Sequence, residues 1–186
     1  MGAELFFREV RTPYRGLQLV VGTILVAVAV YSGIVVQWVG IYPLDLPLTK
    51  VLGLALIVAI VVPLLAARAI IPGRMVDRGL RQIAAGRWVG KERSGSPTAH
   101  LIDRTGDVGR LWLLFSEQSL LGALLVGGAA FASLTAYVID PSAPPLALGT
   151  ILVVATSSHL PTKPIVTRWM AMHLHAVDLI RQQSRR

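Results

Sequence analysis

Apolar residues fall into four blocks along the chain, separated by segments rich in arginine. A helix needs about 20 mostly apolar residues to cross about 30 Å of hydrocarbon. Residues 17–39 and 51–71 meet that length, with Arg68 near the end of the second as the one charge in either. Residues 120–139 meet it as well. Residues 146–166 form the weakest block: 146–155 are uninterrupted, but Thr156, Ser157, Ser158, His159, Pro161, Lys163 and Pro164 follow. A fourth span is still expected there, because three spans leave the basic tail on the opposite side from the other arginines. The pattern predicts an all-α integral membrane protein with four transmembrane helices in two tandem hairpins, joined and followed by amphipathic cytoplasmic helices. The expected parts are a first hairpin over 1–71, a cytoplasmic segment over 72–118, a second hairpin over 119–163 and a basic amphipathic helix over 164–186.

Lysine and arginine placement orients these spans. Arg8, Arg11 and Arg15 precede the first, nine basic residues lie from Arg68 to Arg110, and five lie from Lys163 to Arg186. The two remaining loops, 40–50 and 140–145, hold Lys50 alone. Both termini and the middle segment are therefore expected in the cytoplasm. Topology accounts for the isoelectric point near 10.8. Anionic inner-leaflet lipid, and not nucleic acid, is the expected partner of these arginines. The first span is too long for the apolar core of a signal peptide, so the N-terminus is expected to be retained.

Composition narrows the chemistry further. The 186 residues include no cysteine, which removes disulfides, thiolate metal sites and cysteine nucleophiles. No glycine-rich phosphate loop, paired membrane carboxylates or nucleophile–base spacing occurs, so no enzyme activity and no cofactor are expected. Only His159 of the four histidines lies within a span, too few for a bis-histidine haem site in one chain. The span cores lack ionisable residues, which disfavours ion or proton transport. One polar cluster is a candidate latch: Glu117 starts the third span at about the depth where His159 and Lys163 end the fourth. The two hairpins also align weakly, with Gly16, Gly22 and Tyr31 matching Gly122, Gly128 and Tyr137, and Pro63 matching Pro161.

The most informative stretch is 67–86. Pro72 suits a first helical turn, where its missing N–H costs nothing. Val76, Leu80 and Ile83 then recur at spacings of four and three, a one-sided packing seam, with Arg74, Arg78, Arg81 and Gln82 facing elsewhere. Gly86 supplies a C-terminal stop. Residues 165–181 show a similar face of Val166, Trp169, Met170, His173, Val177 and Ile180, which suits docking of another subunit.

The stretch resembles the first helix of a HAMP domain, the linker that carries signals from membrane helices to cytoplasmic modules. Further on, Asp107-Val108-Gly109-Arg110-Leu111 with Phe115 resembles the start of the second HAMP helix, Asp107 standing where that family usually has glutamate. The resemblance covers about a quarter of the chain. Two departures stand beside it. The connector 87–106 is longer than usual, and an unbroken helix 107–139 conflicts with the parallel helices of a standard HAMP domain, so an antiparallel version is expected. The resemblance implies a signalling or coupling protein of the bacterial inner membrane. Its seam of Val76, Leu80 and Ile83 would pack against a second copy or against residues 107–118, including Leu111 and Phe115. Pro72, Gly86 and Asp107 would mark the helix boundaries. As it carries no output module, such a protein works as a homodimer or in a hetero-complex with another protein. The alternative is a small structural or assembly subunit of a larger membrane complex; a third reading is a cofactor anchor through His159.

Overall fold

The computed structural model describes residues 11–41, 47–87 and 97–184, and among these the chain is helical with no strand. Arg8, residues 42–46 and residues 88–96 of the connector lie outside the described residues. The elements are α1 (Arg11–Ile41), α2 (Pro47–Leu56), a π-helical segment (Ile57–Val61), α3 (Val62–Ala84), α4 (Pro97–Thr105), α5 (Asp107–Ile139), α6 (Ala143–Ser157) and α7 (Lys163–Gln183).

Three helical stretches are long and apolar enough to cross a membrane: Pro13–Gly40, Thr49–Ala84 and Asp107–Ile139. The helix expected over 146–166 is interrupted. α6 has 15 residues and ends at Ser157, and α7 begins only at Lys163. The cause is local. Ser157 and Ser158 turn their hydroxyls back onto the Val154 and Ala155 carbonyls, at 2.6 and 2.7 Å. Side-chain bonds of this kind compete with helical ones, and Pro161 and Pro164 have no N–H to continue the ladder.

Proline acts differently earlier in the chain. Pro72 does not open a helix as its sequence context predicts; it lies inside α3. The preceding Ala-Arg-Ala-Ile-Ile offers no Ser, Thr, Asp or Asn as an N-cap, so nothing starts a new helix there. The running helix tolerates one lost bond, to the Arg68 carbonyl. At Pro63 the strain is taken up upstream: the Val62 N–H reaches Ile57, five residues back, in the π-helical turn. A widened turn just before a proline gives its ring room against the carbonyl four residues earlier. The matching Pro161 lies in the break between α6 and α7, so the two prolines do different work.

The chain divides into two compact units. The first comprises residues 19–71 and 120–160. Its core gathers Val28, Val61, Val126, Ala129, Ala130 and Leu152. α5 is its centre. A Cβ placed on Gly127 would stand 3.0 Å from Ile24 of α1, and one on Gly149 of α6 would stand 2.9 Å from Leu134. Gly53 faces Ala136 and Asp140, while Gly128 faces Leu64, so the 47–71 stretch runs antiparallel to α5. Gly22, by contrast, has open space around it. Half of the most apolar stretch of α5 is buried, against 17% for α1 and 6% for the stretch ending in α3. Large apolar side chains, among them Leu19, Val26, Leu54, Ile151 and Val154, point outward more than 60% exposed.

The second unit comprises residues up to Gln18, Pro72–Ser119 and those from Pro161 onward. It brings the amphipathic ends of the long helices together with α4 and α7, and it holds most of the polar contacts described next.

Candidate functional site

On α3, Pro72, Val76, Gly79, Leu80 and Ile83 are buried, and Arg74, Arg78, Arg81 and Gln82 are exposed. Spacings of four, three, one and three put the buried residues on one stripe of a 3.6-residue helix. The helix stops in a Schellman turn. Gly86 takes φ +67°, its N–H bonds the Ile83 carbonyl at 3.0 Å, and the Arg87 N–H bonds the Gln82 carbonyl at 2.9 Å. Glycine carries no Cβ penalty in that left-handed conformation.

α5 begins at Asp107, directly after Gly106 at φ +59°. It then runs unbroken for 33 residues. Leu111, Trp112, Leu114 and Phe115 are buried along its first turns. The Gly79 backbone lies against Leu114: an added Cβ would stand 2.8 Å from both of its terminal methyls. Toward its own C-terminal end, α3 comes near Asp107 through a shared partner, Arg181. α3 and the start of α5 therefore run antiparallel.

The shared partner ties three helix ends together. The Arg181 guanidinium, in the last turn of α7, pairs with Asp107 Oδ2 at 2.6 Å. It also donates to the Ile83 and Ala84 carbonyls at 3.4 Å each. Arg110 pairs with the other Asp107 oxygen at 3.1 Å. Each charge sits where a helix dipole favours it, the carboxylate at an N-terminus and the guanidinium beside two C-termini. Arg181→Gln is expected to lower the unfolding free energy by about 1 kcal/mol, the size of a part-exposed ion pair. Thermal unfolding of the detergent-solubilised protein measures it. Combined with Asp107→Asn, the loss should be clearly less than additive.

Behind the clasp runs a line of rings. Tyr14 and Trp112 have centroids 6.0 Å apart, Trp112 and Phe115 5.9 Å, and Phe115 and Trp169 5.3 Å. Trp169 stacks on His173 at 3.8 Å. The Tyr14 hydroxyl and the Gln18 amide both donate to the Pro161 carbonyl at 2.9 Å, satisfying an acceptor freed by the break before α7. Val166, Met170 and Val177 of α7 are buried as well. Of the α7 face suited by its sequence to docking, these three residues are buried, while Trp169, His173 and Ile180 are half-buried.

The site residues read from the sequence are distributed as follows. Val76, Leu80, Ile83, Leu111 and Phe115 are all buried in this one unit. Gly86 ends α3 and Asp107 starts α5, while Pro72 is internal to its helix. Glu117 and Lys163 are exposed. His159 takes its hydrogen bond from Arg68 Nε, at 3.2 Å on its Nε2. Its Nδ1 lies 3.3 Å from the Ala155 carbonyl, the arrangement of a neutral ring protonated on Nδ1. Gly122 makes room for the ring, since a Cβ there would meet His159 Nε2 at 2.7 Å. No group of three or more metal-ligating side chains occurs among the described residues.

Sequence reasoning misses Arg181, Gly79, Leu114 and Arg68 as site residues. Their partners are remote in the chain, and no local spacing points to them. The arrangement has one helix end, that of α3, gripped by Arg181 of α7, which also holds the start of α5. No protein-family model, no curated protein and no solved structure matches this chain.

Proposed function

We propose that this chain is an integral membrane coupling protein, non-enzymatic, in which α3 conveys movement from a membrane span to the clasp at Asp107 and Arg181. The topology is four spans, with both termini and the 72–118 segment in the cytoplasm and the bacterial inner membrane as its location. Supporting insertion are three helical stretches of spanning length and the outward-facing apolar side chains on α1, α2 and α6. The α6 stretch with the turn after it serves as the fourth, short crossing. The HAMP resemblance of 72–86 supplies the mechanism, with one change. The seam of Val76, Leu80 and Ile83 packs inside the chain on α5 and α7, in place of a second copy.

The observation that carries this reading is the form of α3. It is one helix from Val62 to Ala84, apolar at its start and seamed at its end, and its last carbonyls are held by Arg181. A shift or rotation of that helix is felt by α5 and α7 together. A partner reads the change at the exposed faces of α3.

The missing cysteines make the test direct. Single cysteines at Val76, Leu80 and Ile83, with Arg78 and Gln82 as controls, are treated with a maleimide and with oxidant in native membranes. Seam cysteines should stay unlabelled and form no inter-chain disulfide, while the controls label fully. Strong cross-linking at the seam would restore the homodimeric form. Equal labelling everywhere would sink the packed lever altogether.

A second reading has one observation in its favour. α1 and the stretch ending in α3 bury little of their apolar surface within the chain, which suits neighbouring helices of a larger complex. A structural or assembly subunit would be recovered from mild detergent in fixed ratio with other chains. A coupling protein would be recovered by itself or with copies of itself.

A further inference from the structure

The exposed side of α3, opposite the seam, carries a groove of about 530 Å³ lined by Arg74, Asp77, Arg78, Arg81, Gln82 and Arg87. Four guanidinium groups face one carboxylate, so among the described residues the groove holds an excess of three positive charges. Three of the four arginines follow from helical spacing. Arg74, Arg78 and Arg81 repeat at four and three residues and share one face over about 10 Å of helix. The fourth depends on the turn at Gly86. The Schellman bond from the Arg87 N–H to the Gln82 carbonyl, at 2.9 Å, folds the backbone back and returns Arg87 to the groove.

Guanidinium is the side chain best shaped for phosphate, which it grips through two parallel N–H donors. One phosphodiester carries one charge and two free oxygens, enough for one such grip and a second partial one. Four arginines in a row with a net charge of three match two phosphates better than one. Position along α3 selects the source. Arg74 lies about one helical turn beyond the apolar stretch that ends at Ile71, so the near end of the groove falls within the headgroup layer, about 5–7 Å deep on one face of a bilayer, and Arg78 and Arg81 continue outward from it. Basic pockets at that level, on the cytoplasmic side, take the headgroups of anionic lipids.

The geometry points to a binding site for a phospholipid bearing two phosphates, gripped by Arg74, Arg78, Arg81 and Arg87. This inference rests on the membrane insertion proposed above, though not on the coupling role. Bound there, the lipid would hold the exposed side of α3 against the membrane surface while the seam holds the other side to α5 and α7.

The test begins with an alkaline carbonate wash of membranes that contain the full chain. Release of the protein would remove the membrane reading and this inference with it; retention leaves the lipid question to the next step. Protein purified in detergent is then titrated with tetraoleoyl cardiolipin, dioleoyl phosphatidylglycerol or dioleoyl phosphatidylcholine, and adducts are counted by native mass spectrometry. Cardiolipin should bind most tightly, and Arg74→Gln/Arg78→Gln/Arg81→Gln should weaken it about a hundredfold. Arg168→Gln, an exposed arginine on α7, should leave it unchanged. Should the triple variant lose its helical circular dichroism, Arg74→Gln/Arg78→Gln replaces it, with about a thirtyfold loss expected. Equal binding of cardiolipin and phosphatidylglycerol at matched phosphate would overturn the two-phosphate assignment. Displacement by millimolar inorganic phosphate would mean a free-anion site, and undiminished binding in the arginine variants would place the lipid elsewhere.

Discussion

Trp112→Ala should produce the largest loss of stability of any single truncation in the clasp unit, about 3–5 kcal/mol. Trp112 is 1% exposed and is the largest fully buried side chain among the described residues. Its ring contacts Tyr14 of α1 on one side and Phe115 on the other, and Phe115 passes the contact on to Trp169 of α7. Removing it opens a cavity between α1 and α5, beside the Phe115 ring that leans on α7, and walls on separate helices collapse poorly. Trp112→Phe should recover more than half of the loss, since a smaller ring keeps part of the aromatic packing. Thermal unfolding followed by near-ultraviolet circular dichroism reads both variants. A loss below about 1 kcal/mol for the alanine variant would mean that this ring line is not packed as described.

Gly79→Val should cost less, about 1–3 kcal/mol, and for the opposite reason. Here the fault is excess volume. A Cβ at Gly79 stands 2.8 Å from both Leu114 terminal methyls and 3.3 Å from the carbon that bears them. Leu114 is 2% exposed, so its side chain has nowhere to rotate. Leu114→Ala vacates the space the valine needs, so the double variant should be more stable than the sum of the single losses predicts. Gly73 provides the control. It lies in the same helix with nothing within 4 Å of its added Cβ, and Gly73→Ala should stabilise the protein by up to about 1 kcal/mol through helix propensity alone. If the two glycines respond alike, α3 and α5 do not approach closely at Gly79.

These two positions show what local sequence carries and what it omits. The spacing of Val76, Leu80 and Ile83 separates buried from exposed residues on α3, because helical periodicity is written within a dozen neighbours. The stop at Gly86 and the start at Asp107 are equally local, as both depend on backbone conformation and the helix dipole. Gly79 is invisible by the same logic, since its importance lies in a leucine 35 positions away. Arg181 looks like one more basic residue in a basic tail until Asp107 and the end of α3 are brought beside it. Pro72 misleads because a proline that opens a helix and a proline inside one leave the same mark when no cap is weighed. Residues 146–166 mislead in the other direction: their mean character is apolar, and the serine pair and prolines that break the helix occupy only a few positions. Arg68 and His159 meet 91 positions apart, across two helices whose register no sequence pattern encodes.

The brevity of α6 has a bearing on the bilayer itself. Fifteen residues rise about 22 Å, some 8 Å short of a typical hydrocarbon thickness. As a crossing, it obliges the lipid on that side to thin, or the helices beside it to tilt, at a cost of fractions of a kcal/mol for each ångström of mismatch. On the proposed four-span topology, acyl-chain length becomes a thermodynamic variable of the protein, with short-chain lipids relieving the mismatch and long-chain lipids increasing it. On that topology a membrane of uneven thickness draws the chain toward its thin regions through the length of one helix.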